Sequence, residues 1–217
     1  SGIGAVALLE KYHADVVLYD SSDKLTKEDL EAKLPGESKA VCIAGELPEE
    51  VELSIQAAVL SPGVPTDIPL VNRMRDRGVQ ILGEIELGFL AEQGRVIAIT
   101  GTNGKTTTTT LTGEIMKAHF GEEKTFVVGN IGNPYTLEVT KTSKDSVTVG
   151  EISSFQLETI HTFHPVVSAI LNITPDHLNR HHTMEAYVAA KEAVASQQTK
   201  ADICVLNYDN DYTRDFA

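Results

Sequence analysis

The stretch Val96-Ile-Ala-Ile-Thr-Gly-Thr-Asn-Gly-Lys-Thr-Thr107 decides the fold. Val96–Thr100 is a nearly continuous apolar run, as strands buried on both faces are, and Lys105–His119 reads as a helix behind a short Gly-rich turn. Glycines let backbone N–H groups turn toward one point, and the helix start adds its partial positive charge, so this strand–turn–helix unit is a phosphate cradle. Its residues are Gly101, Thr102, Asn103, Gly104, Lys105, Thr106 and Thr107. Lys105 can reach the β- and γ-phosphates of a nucleotide, and the Thr106 hydroxyl can ligate Mg²⁺. The loop is a short variant: the common pattern G-x-x-x-x-G-K-[ST] wants Gly at position 99, which is Ile99 here. The plain alternative is a Gly/Thr-rich surface turn beside the run Thr106–Thr110. Threonine starts helices poorly, yet these follow Gly-Lys after an apolar strand, which is the context a phosphate loop requires.

Outward from this unit, short β-rich runs alternate with helical stretches. Strands are expected at 15–19, 40–44, 57–60, 79–82, 125–128, 146–150, 166–171 and 203–206, and helices at 3–11, 69–77, 84–92 and 184–196. Such alternation argues for βαβ units, a parallel sheet and the α/β class. The polar, Gly-containing break Glu92-Gln-Gly-Arg95 suggests a boundary between residues 1–93 and 94–217, two plausible domain sizes. No repeat at solenoid periods is visible. Both ends look cut. Ser1-Gly2-Ile3-Gly4 runs straight into a helix, whereas a doubly wound domain opens with a strand and a Gly-rich turn. Little follows the last strand, so a fragment of a longer protein is expected, its first strand missing and its second unit truncated.

The 217 residues carry a formal charge of −13, which argues against a general nucleic-acid binder. A nucleotide remains possible, because a few local donors hold a phosphate even in an acidic protein. Cys42 and Cys204 lie far apart in apolar surroundings and read as buried thiols in a reducing compartment. No run approaches a membrane span, and the N-terminus lacks a basic region of signal-peptide type. A cytoplasmic monomer that meets neither nucleic acid nor membrane is expected.

The loop Thr100-Gly-Thr-Asn-Gly-Lys-Thr106 resembles that of the Mur ligase and folylpolyglutamate synthase superfamily of ATP-dependent amide ligases. Glu151-Ile-Ser-Ser-Phe-Gln-Leu-Glu158 and Ser61-Pro-Gly-Val-Pro65 are more specific and resemble its D-glutamate-adding branch. So do Gly83-Glu-Ile-Glu-Leu-Gly88, Gly129-Asn-Ile-Gly132 and Asn172-Ile-Thr-Pro-Asp-His-Leu-Asn-Arg180. The resemblance covers essentially the whole chain. It implies a Rossmann-like N-terminal domain that holds a UDP-sugar, then an incomplete P-loop-type parallel-sheet domain that binds ATP. The family's C-terminal domain, which brings the amino acid, has no counterpart here, so the chain alone is expected not to turn over. The implied partners are UDP-N-acetylmuramoyl-L-alanine and D-glutamate, joined through an acyl-phosphate in peptidoglycan precursor synthesis. A folylpolyglutamate synthase-like ligase is the alternative within the class, and a non-catalytic nucleotide-binding module the alternative outside it. EISSFQLE and the UDP-type first domain speak against the former.

The resemblance also assigns residues. Glu151, ending a strand, becomes a Mg²⁺ ligand rather than a solvated Glu at a turn; Ser153 and Ser154 read as caps of a short helix. His177 becomes a metal or phosphate-site ligand beside Asp176. His181 and His182 read as surface residues, since the His177/His181 spacing lacks the Glu and third ligand of a zinc site. His13, His119, His161 and His164 carry no signal. Lys191 reads plainly as a solvated helix lysine; the resemblance makes it a lysine carbamylated by CO₂ that holds a second Mg²⁺. Asn130 matches a position near the reacting acyl group. For the UDP-substrate, the set is Ser1 and Gly2 at the mouth of the first Gly-rich turn, Asp20 and Ser21 after a strand where an acidic residue can meet a ribose, and Ser61, Pro62 and Gly63 as diphosphate donors. These last could equally be ordinary strand-end turns.

Overall fold

The computed structural model describes residues 2–216. The first part runs α1 (Gly2–Lys11), β1 (Val17–Asp20), α2 (Lys27–Glu31), β2 (Val41–Ala44), α3 (Glu49–Ser54), β3 (Ala57–Leu60), α4 (Pro69–Asp76), β4 (Gln80–Gly83) and α5 (Glu84–Leu90). The second runs β5 (Arg95–Thr100), α6 (Lys105–Phe120), β6 (Thr125–Gly129), α7 (Tyr135–Glu138), β7 (Val147–Glu151), α8 (Ser154–Leu157), β8 (Val167–Ile170), α9 (Leu178–His181), α10 (Met184–Glu192), β9 (Ile203–Leu206) and α11 (Asp211–Phe216). All strand pairs are parallel, as the βαβ pattern requires. The first part makes two two-stranded sheets, β1–β2 and β3–β4. The second makes one five-stranded sheet in the order β6-β7-β5-β8-β9.

The apolar runs explain that order. β7 is buried along its whole length and β5 nearly so, and they pair at the middle of the large sheet. β9 is equally apolar in sequence but lies at the sheet's edge with Ile203 and Val205 more than half exposed. This corrects the expectation for Cys204, which is exposed because its strand pairs on one side only; Cys42 is buried as expected. Helix α10 ends sooner than expected, at Glu192, and tightens into a 3₁₀ turn at Ala193–Ala195. The short helices α2, α7, α9 and α11 were not anticipated; each is four to six residues long, too short to leave a periodic signature. No helix among the described residues is long and apolar enough to cross a membrane.

The expected boundary falls in the turn between α5 and β5, yet the packing runs across it. One apolar cluster joins Ala5 and Leu8 of α1 and Ile85 and Leu87 of α5 to Val96, Tyr135, Phe163 and Val194 of the second part. Carboxylates on and just after α5 complete the join. Glu86 is 1% exposed and accepts four hydrogen bonds: His161 N at 2.9 Å, Thr162 N at 2.8 Å, Thr162 Oγ1 at 2.6 Å and Phe163 N at 3.1 Å. Glu84 accepts from Thr136 N and Oγ1, and Glu92 from the Tyr135 and Thr148 hydroxyls. A buried carboxylate is tolerable only when its lone pairs are filled in this way.

Glu86→Ala should therefore cost about 3 kcal/mol or more, because three backbone N–H groups and a hydroxyl lose their acceptor in a dry site. Urea unfolding measures it. A loss under about 1 kcal/mol would mean that the 161–163 loop finds other acceptors.

Candidate active site

β5 delivers the chain at its carboxyl end into Gly101–Gly104, and α6 begins at Lys105. Gly104 caps that helix at φ 83°, the left-handed region open to glycine, and no side chain caps it. The first N–H groups of α6, at Lys105, Thr106 and Thr107, have no partner within the helix and face an exposed mouth at Gly104, Thr106 and Thr107. Lys105 Nζ folds back to the Thr102 carbonyl at 3.0 Å.

The loop is held from behind. Thr102 N donates to Asn172 O at 2.8 Å, and Asn103 N donates to Asn172 Oδ1 at 2.9 Å. Asn172 Nδ2 returns a bond to Asn103 O at 3.0 Å. The Thr102 hydroxyl accepts from Thr174 N and meets Tyr187 Oη at 3.1 Å. Asn172, Thr174 and Tyr187 carried no role in the sequence reading. Tyr187 could have been found: it lies four residues before Lys191, hence on the same helix face.

Register carries the next residue to the same edge. Ile99 of β5 pairs with Glu151, the last residue of β7. Glu151 is 1% exposed; Asn130 Nδ2 donates to its Oε1 at 2.6 Å, and Asn130 N to its carbonyl at 2.9 Å. Gly129, at φ 103°, permits this approach, since a Cβ there would strike the Glu151 carbonyl. Glu151 Oε2 is buried without a hydrogen-bond partner. A buried carboxylate oxygen without a donor is chemically suited to a hard cation. Among the described residues no group of three or more His, Cys, Asp and Glu could hold a metal. A cation held by Glu151 would draw its other ligands from hydroxyl, phosphate and water oxygens, a donor set that suits Mg²⁺.

Lys191 is not solvated. It is 1% exposed, and its Nζ donates to Gly101 O at 2.8 Å and lies 4.8 Å from the Tyr187 ring centroid. Burial, helped by the nearby Lys105 charge, brings its pKa down to about 7, against a smaller opposing pull from Asp176. His177 is exposed, in left-handed backbone at φ 52°, with its N–H on Asp176 Oδ1 and its ring 4.9 Å from that of Phe155. His181 corrects the surface expectation: it is 7% exposed and its Nε2 meets Ser154 Oγ at 2.9 Å, with burial lowering its pKa. Ser153 caps α8 as expected, within a capping box with Gln156.

The expected UDP-substrate residues gather less tightly. Ser1 lies outside the described residues. Gly2 opens α1 beside Leu18 of β1. Asp20 ends β1 and accepts from Ser22 N at 2.9 Å, with Ser21 exposed between them. Ser61, Pro62 and Gly63 form the turn after β3, closed by Val64 N on Ser61 O. Both turns follow carboxyl ends of parallel strands, where ligands of such sheets bind. A cavity of about 250 Å³ lies between the two parts, lined by Pro62, Glu84, Gly129, Asn130, Gly132, Pro134 and Gln156. Thus Pro62 and Asn130 face one space, next to the buried Glu151.

Residues 99–217 match the family described as Mur ligase middle domain. Over its full length the chain is 59% identical to UDP-N-acetylmuramoylalanine–D-glutamate ligase of Lachnospira eligens, covering 48% of that protein. It is 46% identical to the protein of the same name from Clostridioides difficile, again with all of this chain and 48% of the relative aligned. The chain thus spans about half the length of the curated relatives it matches. Among solved structures it resembles UDP-N-acetylmuramate-alanine ligase of Thermotoga maritima, with TM-score 0.55 at 21% identity, covering all of this chain and 49% of that one. A second is the Neisseria meningitides UDP-N-acetylmuramate:L-alanyl-gamma-D-glutamyl-meso-diaminopimelate ligase, with TM-score 0.59 at 14% identity, covering 98% and 69%. These likenesses carry the fold. With more than half of its residues inside the middle-domain match, the chain belongs to the Mur ligase family.

Proposed function

We propose that this chain is the UDP-sugar-binding and phosphate-binding part of an ATP-dependent ligase that joins D-glutamate to UDP-N-acetylmuramoyl-L-alanine. Residues 1–93 hold the UDP-sugar and residues 94–217 the nucleotide. The observation that carries this reading is a convergence at one sheet edge: the phosphate loop, a buried Glu151 oxygen with no partner, and a buried Lys191. The names of the relatives supply the substrates.

The chemistry needs no protein nucleophile. The substrate's own carboxylate oxygen attacks the γ-phosphorus of ATP, the bond to the β-phosphate oxygen breaks, and ADP leaves. The amine of D-glutamate then attacks the acyl carbon, loses a proton, and inorganic phosphate departs. Catalysis of this kind is positioning plus charge stabilisation. Lys105 and the first N–H groups of α6 hold the phosphates. The cavity between Pro62 and Asn130 takes the sugar-peptide arm, so the Asn130 amide orients the acyl end beside Glu151. Asp20, Ser21 and the Ser61–Gly63 turn hold the ribose and diphosphate, with Gly2 beside them. Mg²⁺, when bound, neutralises phosphate charge; Glu151 and Thr106 are its ligands in this reading, with His177 and carbamylated Lys191 for a second ion. Lys191 is suited to carbamylation because about half of an amine with pKa near 7 is neutral at neutral pH. The neutral Nζ attacks CO₂, a proton leaves, and a cation becomes an anion.

Three measurements test the reading. Lys105→Ala should weaken Mg-ADP binding by roughly 10- to 150-fold, the loss of one charge-assisted phosphate contact of about 1.5–3 kcal/mol, in calorimetric titration. Unchanged affinity sinks the assignment. Glu151→Gln should abolish the dependence of ADP affinity on Mg²⁺ while the melting temperature holds; an undiminished Mg²⁺ effect would remove Glu151 from the site. With ¹³C-labelled CO₂ and Mg-ADP, a carbamate carbon signal should appear, be absent in Lys191→Met, and fade as pH drops below about 7, where the amine takes a proton. A signal that persists in Lys191→Met belongs to another amine.

A further inference from the structure

The segment from Asn172 to His181 touches both ligand loops. At its start Asn172 grips the phosphate loop through the three bonds to Thr102 and Asn103. At its end Arg180 reaches into the first part of the chain. Its Nη2 donates to Val64 O at 3.2 Å, beside the Ser61–Gly63 turn, and to Glu158 Oε2 at 2.6 Å. The same Glu158 oxygen accepts from Thr66 Oγ1 at 3.4 Å. The guanidinium lies 5.0 Å from the Phe155 ring centroid, and both charged side chains are only 15% exposed. An ion pair so shielded, forked to a carboxylate and a carbonyl at once, holds geometry in a way that an exposed pair does not. Two non-glycine residues in left-handed backbone, His177 at φ 52° and His182 at φ 66°, bracket α9. Such conformations persist only where surrounding contacts over-determine them, so the segment's position is set by what it grips at each end.

We propose that Arg180 is a positioning residue that couples the two ligand loops, so that a nucleotide on the phosphate loop and a nucleoside-diphosphate sugar on the Ser61–Thr66 turn each tighten the other's binding. The inference rests on the ligand assignments made above. Nucleotide phosphates fix the phosphate loop and with it Asn172; the segment then fixes Arg180, which holds the Val64 carbonyl and, through Glu158, the Thr66 hydroxyl. Coupling of this kind is reciprocal: each ligand changes the other's affinity by the same factor.

The test is calorimetric titration of this chain with Mg-ADP, with UDP-N-acetylmuramoyl-L-alanine, and with each in the presence of the other at saturation. The wild-type chain should bind the second ligand at least about fivefold more tightly once the first is bound, by the same factor in both orders. In Arg180→Ala the factor should fall below about twofold while Mg-ADP affinity alone is unchanged. Arg180→Lys, which keeps the charge but not the fork, should restore part of it. Glu158→Gln, which keeps the packing, should cut the factor as well and serves if Arg180→Ala does not fold. A merely structural Arg180 would lower the melting temperature and both separate affinities but leave the factor intact, and that result overturns the proposal. A wild-type chain that binds both ligands without coupling overturns it too, leaving the site assignments standing. A wild-type chain that binds neither ligand overturns those assignments and the proposal together.

Discussion

The Glu86 carboxylate, buried and filled by four donors, is the contact on which the arrangement of the chain depends. It ties α5, the last helix of the first part, to the turn that leads into β8 of the large sheet. Glu84 and Glu92 make the same kind of tie to α7 and β7. A buried carboxylate is costly unless its oxygens find donors, so Glu84 and Glu86 each fix one geometry and penalise others, while Glu92 is half-buried. Because Glu84 also lines the cavity between the parts, the element that joins them is also a wall of the site.

Around that join, the parallel sheet does the positioning. Parallel pairing brings the ends of β5, β6, β7 and β8 to one edge, where β7 ends on Glu151 and the loops after β5, β6 and β8 carry Gly101–Gly104, Asn130 and Asn172. The sheet therefore gathers residues from distant parts of the sequence without any of them having to seek the others. What the edge adds is an electrostatic imbalance. It has a helix N-terminus rich in donors, an acidic oxygen with nothing to bond, and a lysine whose charge burial disfavours. Such an edge offers donors to an anion and a bare carboxylate oxygen to a hard cation, which is the pairing that the proposed function uses.

The strands, the long helices and the Gly-rich turn between β5 and α6 were legible because each is a local pattern: an apolar run, a period, or a Gly-Lys-Thr turn between them. Glu151 was legible as a strand end, but its orphaned oxygen was not, since burial is a property of the assembled sheet. Lys191 illustrates the limit most clearly. Read alone it is a solvated helix lysine, and only the packing of α10 against the Gly101–Gly104 loop puts its amine on Gly101 O. Cys204 erred in the other direction, because an edge strand and a central strand look alike as sequence. His181 erred for a similar reason: Ser154, Phe155 and Tyr187, which enclose its ring, arrive from other elements. The carboxylates of α5 were seen as a motif without a role, since their partners lie in loops with no pattern of their own.

The strand order has a consequence for how the chain is made. β5, at the centre of the sheet, pairs with β8 about 70 residues later, and at synthesis rates of about 5–20 residues per second that partner follows roughly 4–14 s behind. During that interval β5 and α6 have no finished sheet to rest on, and Leu111 and Ile115 of α6 stay exposed even in the folded chain. Long-range parallel pairing folds slowly because loop closure precedes its reward. Until β8 has been made, the central strand of the sheet has one apolar edge with no neighbour to pair with.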